Sequence, residues 1–222
     1  MKKIAFYVEG VTEQLFINKL LIEIAGYKNI EIELECFQGV GKPHNKATYP
    51  QTRSQPINPK HHALILNCSG DGSVKSRILE DYQRLFSQGY IEIVGLLDLY
   101  PRPDLAKFED SLFNGVINKG RLIIPALPSK TSIIVAVREI ESWFLSECQH
   151  FQCVDAMLSN AFIISGVGFN PCIDDMTRLD HPAGTLHRIY QLAGKSYKKH
   201  RNEIEQTVEC LDYSELYLTL KS

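Results

Sequence analysis

Short apolar runs alternate with helical stripes through the first half of the chain. Ile4 to Val8 (IAFYV) is an unbroken apolar run rich in strand formers, and it stops at Glu9-Gly10. Behind it Phe16, Ile17, Leu20, Leu21 and Ile24 recur at helical spacing, with Thr12 as the expected N-cap and Gly26 as the stop. A buried strand that feeds a helix through a short turn is the opening of a parallel α/β sheet. Ile30 to Phe37 (IEIELECF) alternates apolar with acidic, which predicts a strand with one wet face. Ala63 to Asn67 (ALILN) predicts another buried strand, followed by the glycine-rich turn 68–72 and a helix carrying Ile78, Tyr82, Leu85 and Phe86. Ile91 to Leu97 (IEIVGLL) reads as the central strand; it ends at Asp98, and Pro101 and Pro103 forbid its continuation.

The pattern weakens further on. A helix is expected from Asp104 to Ile117, an edge strand over Leu122 to Leu127 because of Pro125, and a helix over Ser132 to Ser146. After Glu147 the chain reads as helix-rich, with a loop over 166–181 and a basic cluster before a last helix from about Asn202. Residues 38–62 hold four prolines and no periodicity. No acidic residue lies between Glu35 and Asp71, whereas Lys42, Lys46, Arg53 and Lys60 do. That segment is either a solvated loop or a flexible basic arm that touches a polyanion. The expectation is one α/β domain over 1–222, with a mostly parallel central sheet flanked by helices, 38–62 as a flexible basic insertion and 148–222 as a helix-rich extension packed on the core.

Composition narrows the function classes. The 222 residues, 44% hydrophobic and 23% charged, suffice for a core without staples. A formal charge of -2 excludes a strongly basic nucleic-acid coat, but not an enzyme that handles nucleic acid through local patches and metal. The six cysteines form no C-x-x-C pair and sit mostly in apolar stretches, which reads as reduced thiols in a cytoplasmic protein. Glu9 interrupts the start before any secretory h-region, and no apolar run is long enough to span a membrane.

The candidate chemistry is acidic. Ligands of an open parallel sheet meet it at the carboxyl ends of the strands, where both Glu9 and Asp98 are expected. Two converging carboxylates repel unless a cation lies between them, and Mg²⁺ accepts one or two carboxylates plus waters. Alternatively, Glu9 favours the positive end of the helix that follows. Asp104 either joins the cluster or caps a helix, and Asp71 in SGDG and Glu13 beside an apolar stripe are open in the same way. In AVREIESWFL, helical geometry sets Glu141 beside the apolar stripe and turns Glu139 away, while Arg138 is suited to hold a phosphate. Standard glycine-rich nucleotide loops, zinc motifs and a G-x-S-x-G elbow are missing.

FYVEGVTE, LLDLY and VREIESWFL together resemble the TOPRIM superfamily, and more closely the small DUF4276-type proteins found near prokaryotic defence loci; HPAGTLHRIYQLAGKSYKKH is similar to the tail of that group. The resemblance implies a TOPRIM-like fold in which Glu9 matches the first-motif glutamate and Asp98 the first aspartate of Asp-x-Asp. The chain reads Asp98-Leu99-Tyr100, so Asp104, Glu139 or Glu141 would have to complete a metal shell. The function expected on this basis is Mg²⁺- or Mn²⁺-dependent hydrolysis of nucleic acid in defence. Glu9, Asp98 and Glu141 would be catalytic, with Glu13, Asp71, Arg138, Lys198 and Lys199 as substrate contacts. The alternative is a non-catalytic sensor or adaptor that binds nucleic acid or the product of a neighbouring gene. A homo-oligomer fits either expectation.

Overall fold

The chain folds in chain order as β1 (Lys2–Val8), α1 (Val11–Ala25), β2 (Ile30–Gly39), β3 (Lys46–Arg53), β4 (His61–Asn67), α2 (Ser73–Ser87), β5 (Tyr90–Asp98), α3 (Leu105–Phe113), β6 (Val116–Asn118), β7 (Arg121–Ile124) and β8 (Thr131–Ala136), then α4 (Glu141–Ser146), α5 (His150–Val154), α6 (Asn160–Val167), α7 (Pro182–Gln191), α8 (Arg201–Cys210) and α9 (Tyr213–Lys221). This computed structural model describes residues 1–39, 46–70, 73–99, 104–114, 116–118 and 121–221. Two compact units result, Met1–Val135 and Ala136–Ser222.

The first unit is an α/β sheet of six strands in the order β3-β2-β4-β1-β5-β8, flanked by helices. β1 pairs in parallel with both β4 and β5, β2 pairs in parallel with β4, and β3 runs antiparallel on β2. The connection from β1 to β2 moves one way across the sheet and that from β4 to β5 moves the other. Right-handed crossovers therefore send α1 and α2 to opposite faces. Leu15, Phe16 and Ile17 are the buried apolar side of α1, which packs on β4 and β2. Val74, Ile78 and Leu85 of α2 join Ala5, Tyr7, Leu64, Leu66, Ile93 and Leu97 in one core. α1 ends where expected, at Gly26, whose φ of 78° suits glycine; its N-cap is Gly10 rather than Thr12, which lies buried inside the first turn.

Three expected elements differ. Within the segment expected to be irregular, 46–53 is a strand on the open edge of β2. Pro50 faces Glu35 where the register shifts, a position at which an edge strand tolerates proline. The helix expected over 132–146 is the strand β8, a turn and the short helix α4; the consecutive β-branched residues Ile133, Ile134 and Val135 favour extended backbone over a helical stripe. The expected helix 104–117 stops at Phe113, and β6 pairs antiparallel with β7 in a small second sheet that ends before Pro125.

The second unit, α4 to α9, buries Phe144, Leu145, Phe151, Leu158, Leu186, Ile189 and Tyr190. Its four cysteines are paired, Cys148 with Cys172 and Cys153 with Cys210, at Cα separations of 5.2 and 5.5 Å. This corrects the expectation of reduced thiols: partners 24 and 57 residues apart leave no local spacing signal, and only the helix packing brings them together. Cys36 and Cys68 are free. No helix of the described residues is long and apolar enough to cross a membrane.

Gly95 in β5 lies where α2 and β8 press closely on that strand. A Cβ there would lie 3.0 Å from Ile133, 3.1 Å from Val74 and 3.2 Å from Ile78. Gly95→Ala is expected to destabilise the fold by about 1–3 kcal/mol through overpacking. Chemical denaturation checks this; an unchanged midpoint would mean α2 does not press on β5 as described.

Candidate functional site

In chain order β1 and β4 lead into helices on opposite faces, so the sheet has its switch point between them. Ligands of open α/β sheets bind outside the carboxyl ends of the strands at such a point. Glu9 follows the last residue of β1, and the Cys68–Gly70 turn follows β4. Backbone bonds tie the two turns together: Cys68 N–H donates to the Val8 carbonyl (2.8 Å) and Gly70 N–H to that of Glu9 (3.1 Å). Inside the first turn of α1 the buried Gln14 amide donates to the carbonyls of Glu35 (2.8 Å) and Ile65 (3.1 Å), anchoring the helix start to β2 and β4.

Asp98 ends the neighbouring strand on the other side. Val8 lies opposite Leu96 in the parallel β1–β5 register, so Glu9 and Asp98 emerge at the same rim from strands about 4.8 Å apart. Glu9 and Glu13 are buried and Asp98 is half-buried. Glu13 folds back on the turn, its Oε2 only 3.1 Å from where a Cβ at residue 10 would stand, so Gly10 keeps room for that carboxylate beside Glu9. The buried Cys68 thiol is pushed up to about 12, mainly by burial and also by the nearby charges of Asp81 and Glu9, which keeps it from acting as a thiolate.

Glu9 and Asp98 are hard oxygen donors and fit Mg²⁺ or Mn²⁺ chemistry. Among the described residues, no group of three or more His, Cys, Asp or Glu side chains is gathered to hold a metal ion. Asp71, Tyr100, Pro101 and Pro103 lie outside the described residues. Asp104 takes the capping role of its two readings. It accepts from Lys107 N–H (3.0 Å) at the start of α3 and pairs with the Lys107 ammonium (3.0 Å); the backbone bond foremost holds its carboxyl below the usual range.

The second unit contains a polar centre of its own. Glu141 is fully buried; its Oε1 accepts from the Tyr197 hydroxyl (2.9 Å) and lies 3.0 Å from the Lys199 ammonium, while Oε2 is buried with no hydrogen-bond partner. Lys199 also lies 3.5 Å from Glu139, whose other oxygen accepts from Ala183 N–H (3.0 Å) in α7. The sequence expectation that Glu139 turns away from Glu141 fails, because the helix begins only at Glu141 and the turn before it lets both carboxylates reach one lysine. Arg138 and Lys199 have φ of 70° and 58°, left-handed backbone that costs a non-glycine residue about 1 kcal/mol or more. Arg138 pairs with Asp180 at 3.4 Å. Lys198 enters through its backbone, donating to Glu203 (2.6 Å), and its side chain is exposed. Sequence reasoning missed Tyr197 as the donor to Glu141 and His187, whose Nδ1 accepts from Tyr197 N–H (3.0 Å); neither contact follows a local spacing.

Burial holds the Glu141 carboxyl above the usual carboxylate range, with Lys199 pulling the other way. A carboxyl raised in the folded state stabilises fully below its unfolded pKa, and that contribution fades as pH climbs through the raised value. The thermal midpoint of Glu141→Gln, which keeps an acceptor for Tyr197, is therefore expected to gain on that of the unsubstituted protein as the pH is raised from about 4 upwards. Calorimetry across that range checks it, and midpoints that stay parallel would contradict the raised carboxyl. Comparison with family models, with curated proteins and with solved structures finds no match for this chain.

Proposed function

We propose that the chain is a divalent-metal-dependent phosphodiesterase acting on nucleic acid, working in the cytoplasm as part of prokaryotic defence. The observation that carries this reading is the emergence of Glu9 and Asp98 at one rim of adjacent parallel strands, beside the switch point of the sheet. Glu9 and Asp98 would hold Mg²⁺ or Mn²⁺, and Glu13, packed against the Glu9-Gly10 turn, would set the orientation of that turn. Such an ion, when bound, supplies a Lewis acid for a phosphoryl oxygen and lowers the pKa of water. The chain's own contribution is a rigid rim, fixed by the Cys68–Val8 and Gly70–Glu9 backbone bonds and by Gln14. Glu139 and Glu141 are left out of this metal shell, because both already share the Lys199 ammonium. Lys199 and Arg138 are likewise engaged with carboxylates, whereas the Lys198 side chain is exposed.

A second reading has one observation in its favour. The described residues offer two rim carboxylates and no third ligand group, which suits a non-catalytic sensor or adaptor that binds nucleic acid or the protein product of a neighbouring gene.

Nucleic-acid cleavage in Mg²⁺ or Mn²⁺ separates the two. Glu9→Ala and Asp98→Ala are expected to abolish cleavage with folding intact by circular dichroism. Glu13→Gln is expected to weaken metal affinity about 10- to 100-fold, as loss of a supporting group does. Cleavage by the alanine variants at the unsubstituted rate would overturn the phosphodiesterase reading, and metal-independent binding without scission would support the adaptor.

A further inference from the structure

All four cysteines of the second unit are bonded in pairs, and each pair has one member at the surface: Cys172 and Cys153 are exposed, whereas Cys148 and Cys210 are half-buried. Disulfides whose purpose is only to staple a secreted core are protected from reductant, whereas exposed ones are open to thiolate attack and are the labile, regulatory kind. In a reducing compartment, bonds of that kind are transient and redox-sensing.

The Cys148–Cys172 bond joins two segments that border the buried carboxylate centre. Cys148 follows α4, which begins with Glu141, and its neighbour Glu147 is a buried carboxylate that accepts from the N–H groups of Gln149 (2.8 Å), His150 (3.1 Å) and Asp212 (3.3 Å). Cys172 lies at the start of the segment that runs through the turn Met176–Arg178 to Asp180 and α7. That segment makes two contacts with the turn before α4, Asp180 with Arg138 and Ala183 N–H with Glu139. The turn is left-handed at Arg138, a conformation that persists only when its surroundings fix it. The disulfide is therefore one of the constraints that hold residues 172–183 against the Glu139–Glu141–Lys199 centre.

We propose that Cys148–Cys172 is a reversible thiol–disulfide switch whose reduction releases residues 172–181 from the Glu139–Glu141–Lys199 centre, with Cys153–Cys210 as a second staple between α5 and α8. The reductant is a dithiol. Its thiolate attacks the sulfur of Cys172, the exposed residue of the pair, the bond to Cys148 breaks, and Cys148 leaves as a thiolate that takes up a proton. The second thiol of the reductant then displaces Cys172, which also leaves as a thiolate and is protonated, so two electrons pass to the protein and the dithiol closes to its own disulfide. The switch stands independently of the phosphodiesterase reading, and none of its readouts uses nucleic-acid cleavage.

The test compares the full chain treated with oxidised glutathione and with dithiothreitol. Peptide mapping should find Cys148–Cys172 and Cys153–Cys210 bonded in the oxidised protein, with Cys36 and Cys68 as thiols. On reduction, the fluorescence of Trp143, the single tryptophan, which lies in α4, should shift, and residues 172–181 should lose protection from limited proteolysis; both changes should reverse on reoxidation. Cys172→Ser should show the unprotected segment under oxidant, and Cys153→Ser should keep the response. If the Cys148–Cys172 bond does not form under oxidant, the proposal is overturned. It is equally overturned if mapping shows the bond broken while fluorescence and proteolysis stay as they were.

Discussion

The parallel pairing of β1 with β4 on one side and β5 on the other is the constraint on which the first unit depends. β1 can occupy the middle of the sheet because Ala5, Tyr7 and Val8 are wholly buried and demand cover on both faces. Once it is there, chain connectivity sends the turns after β1 and β4 to opposite faces and opens a crevice at their carboxyl ends. The same pairing sets Glu9 beside the strand that ends in Asp98. Placing acidic side chains at such a rim has an electrostatic cost, since partly buried like charges raise each other's energy. A divalent cation would offset that cost, and that is how the proposed chemistry would draw on the fold.

The second unit meets a similar problem with an internal cation. Glu139 and Glu141 converge on the Lys199 ammonium, and Tyr197 supplies a hydroxyl to the deeper carboxylate. Glu141 is buried while Lys199 reaches solvent, so removing the lysine leaves a buried carboxylate without its cation, which is the costly half of such a pair. The left-handed backbone at Arg138 and Lys199 shows how closely the two segments are fixed, and the disulfide at Cys148 adds a covalent constraint beside them.

Much of the first unit was legible because a fully buried parallel strand has an unmistakable pattern: IAFYV, ALILN and the end of IEIVGLL are apolar runs cut off by a polar residue, and those cut-offs are the rim positions of Glu9 and Asp98. The strand β8 was misread because Ile133, Val137 and Ile140 satisfy a helical period by spacing alone, whereas the β-branched run decides the backbone. β3 was invisible because its pairing is made by the free edge of β2 rather than by its own apolar residues. The contacts of the second unit were out of reach for a different reason: Glu141 meets Tyr197 and Lys199 across more than fifty residues, and Cys153 meets Cys210 across 57, so only tertiary packing specifies them.

Crystals soaked in Mn²⁺ and measured for anomalous scattering test the central claim most directly. The account predicts one peak at the β1–β5 rim with an oxygen of Glu9 and an oxygen of Asp98 each about 2.1 Å away. A saturating soak that leaves this rim empty, or places the ion on only one of the two carboxylates, would contradict it.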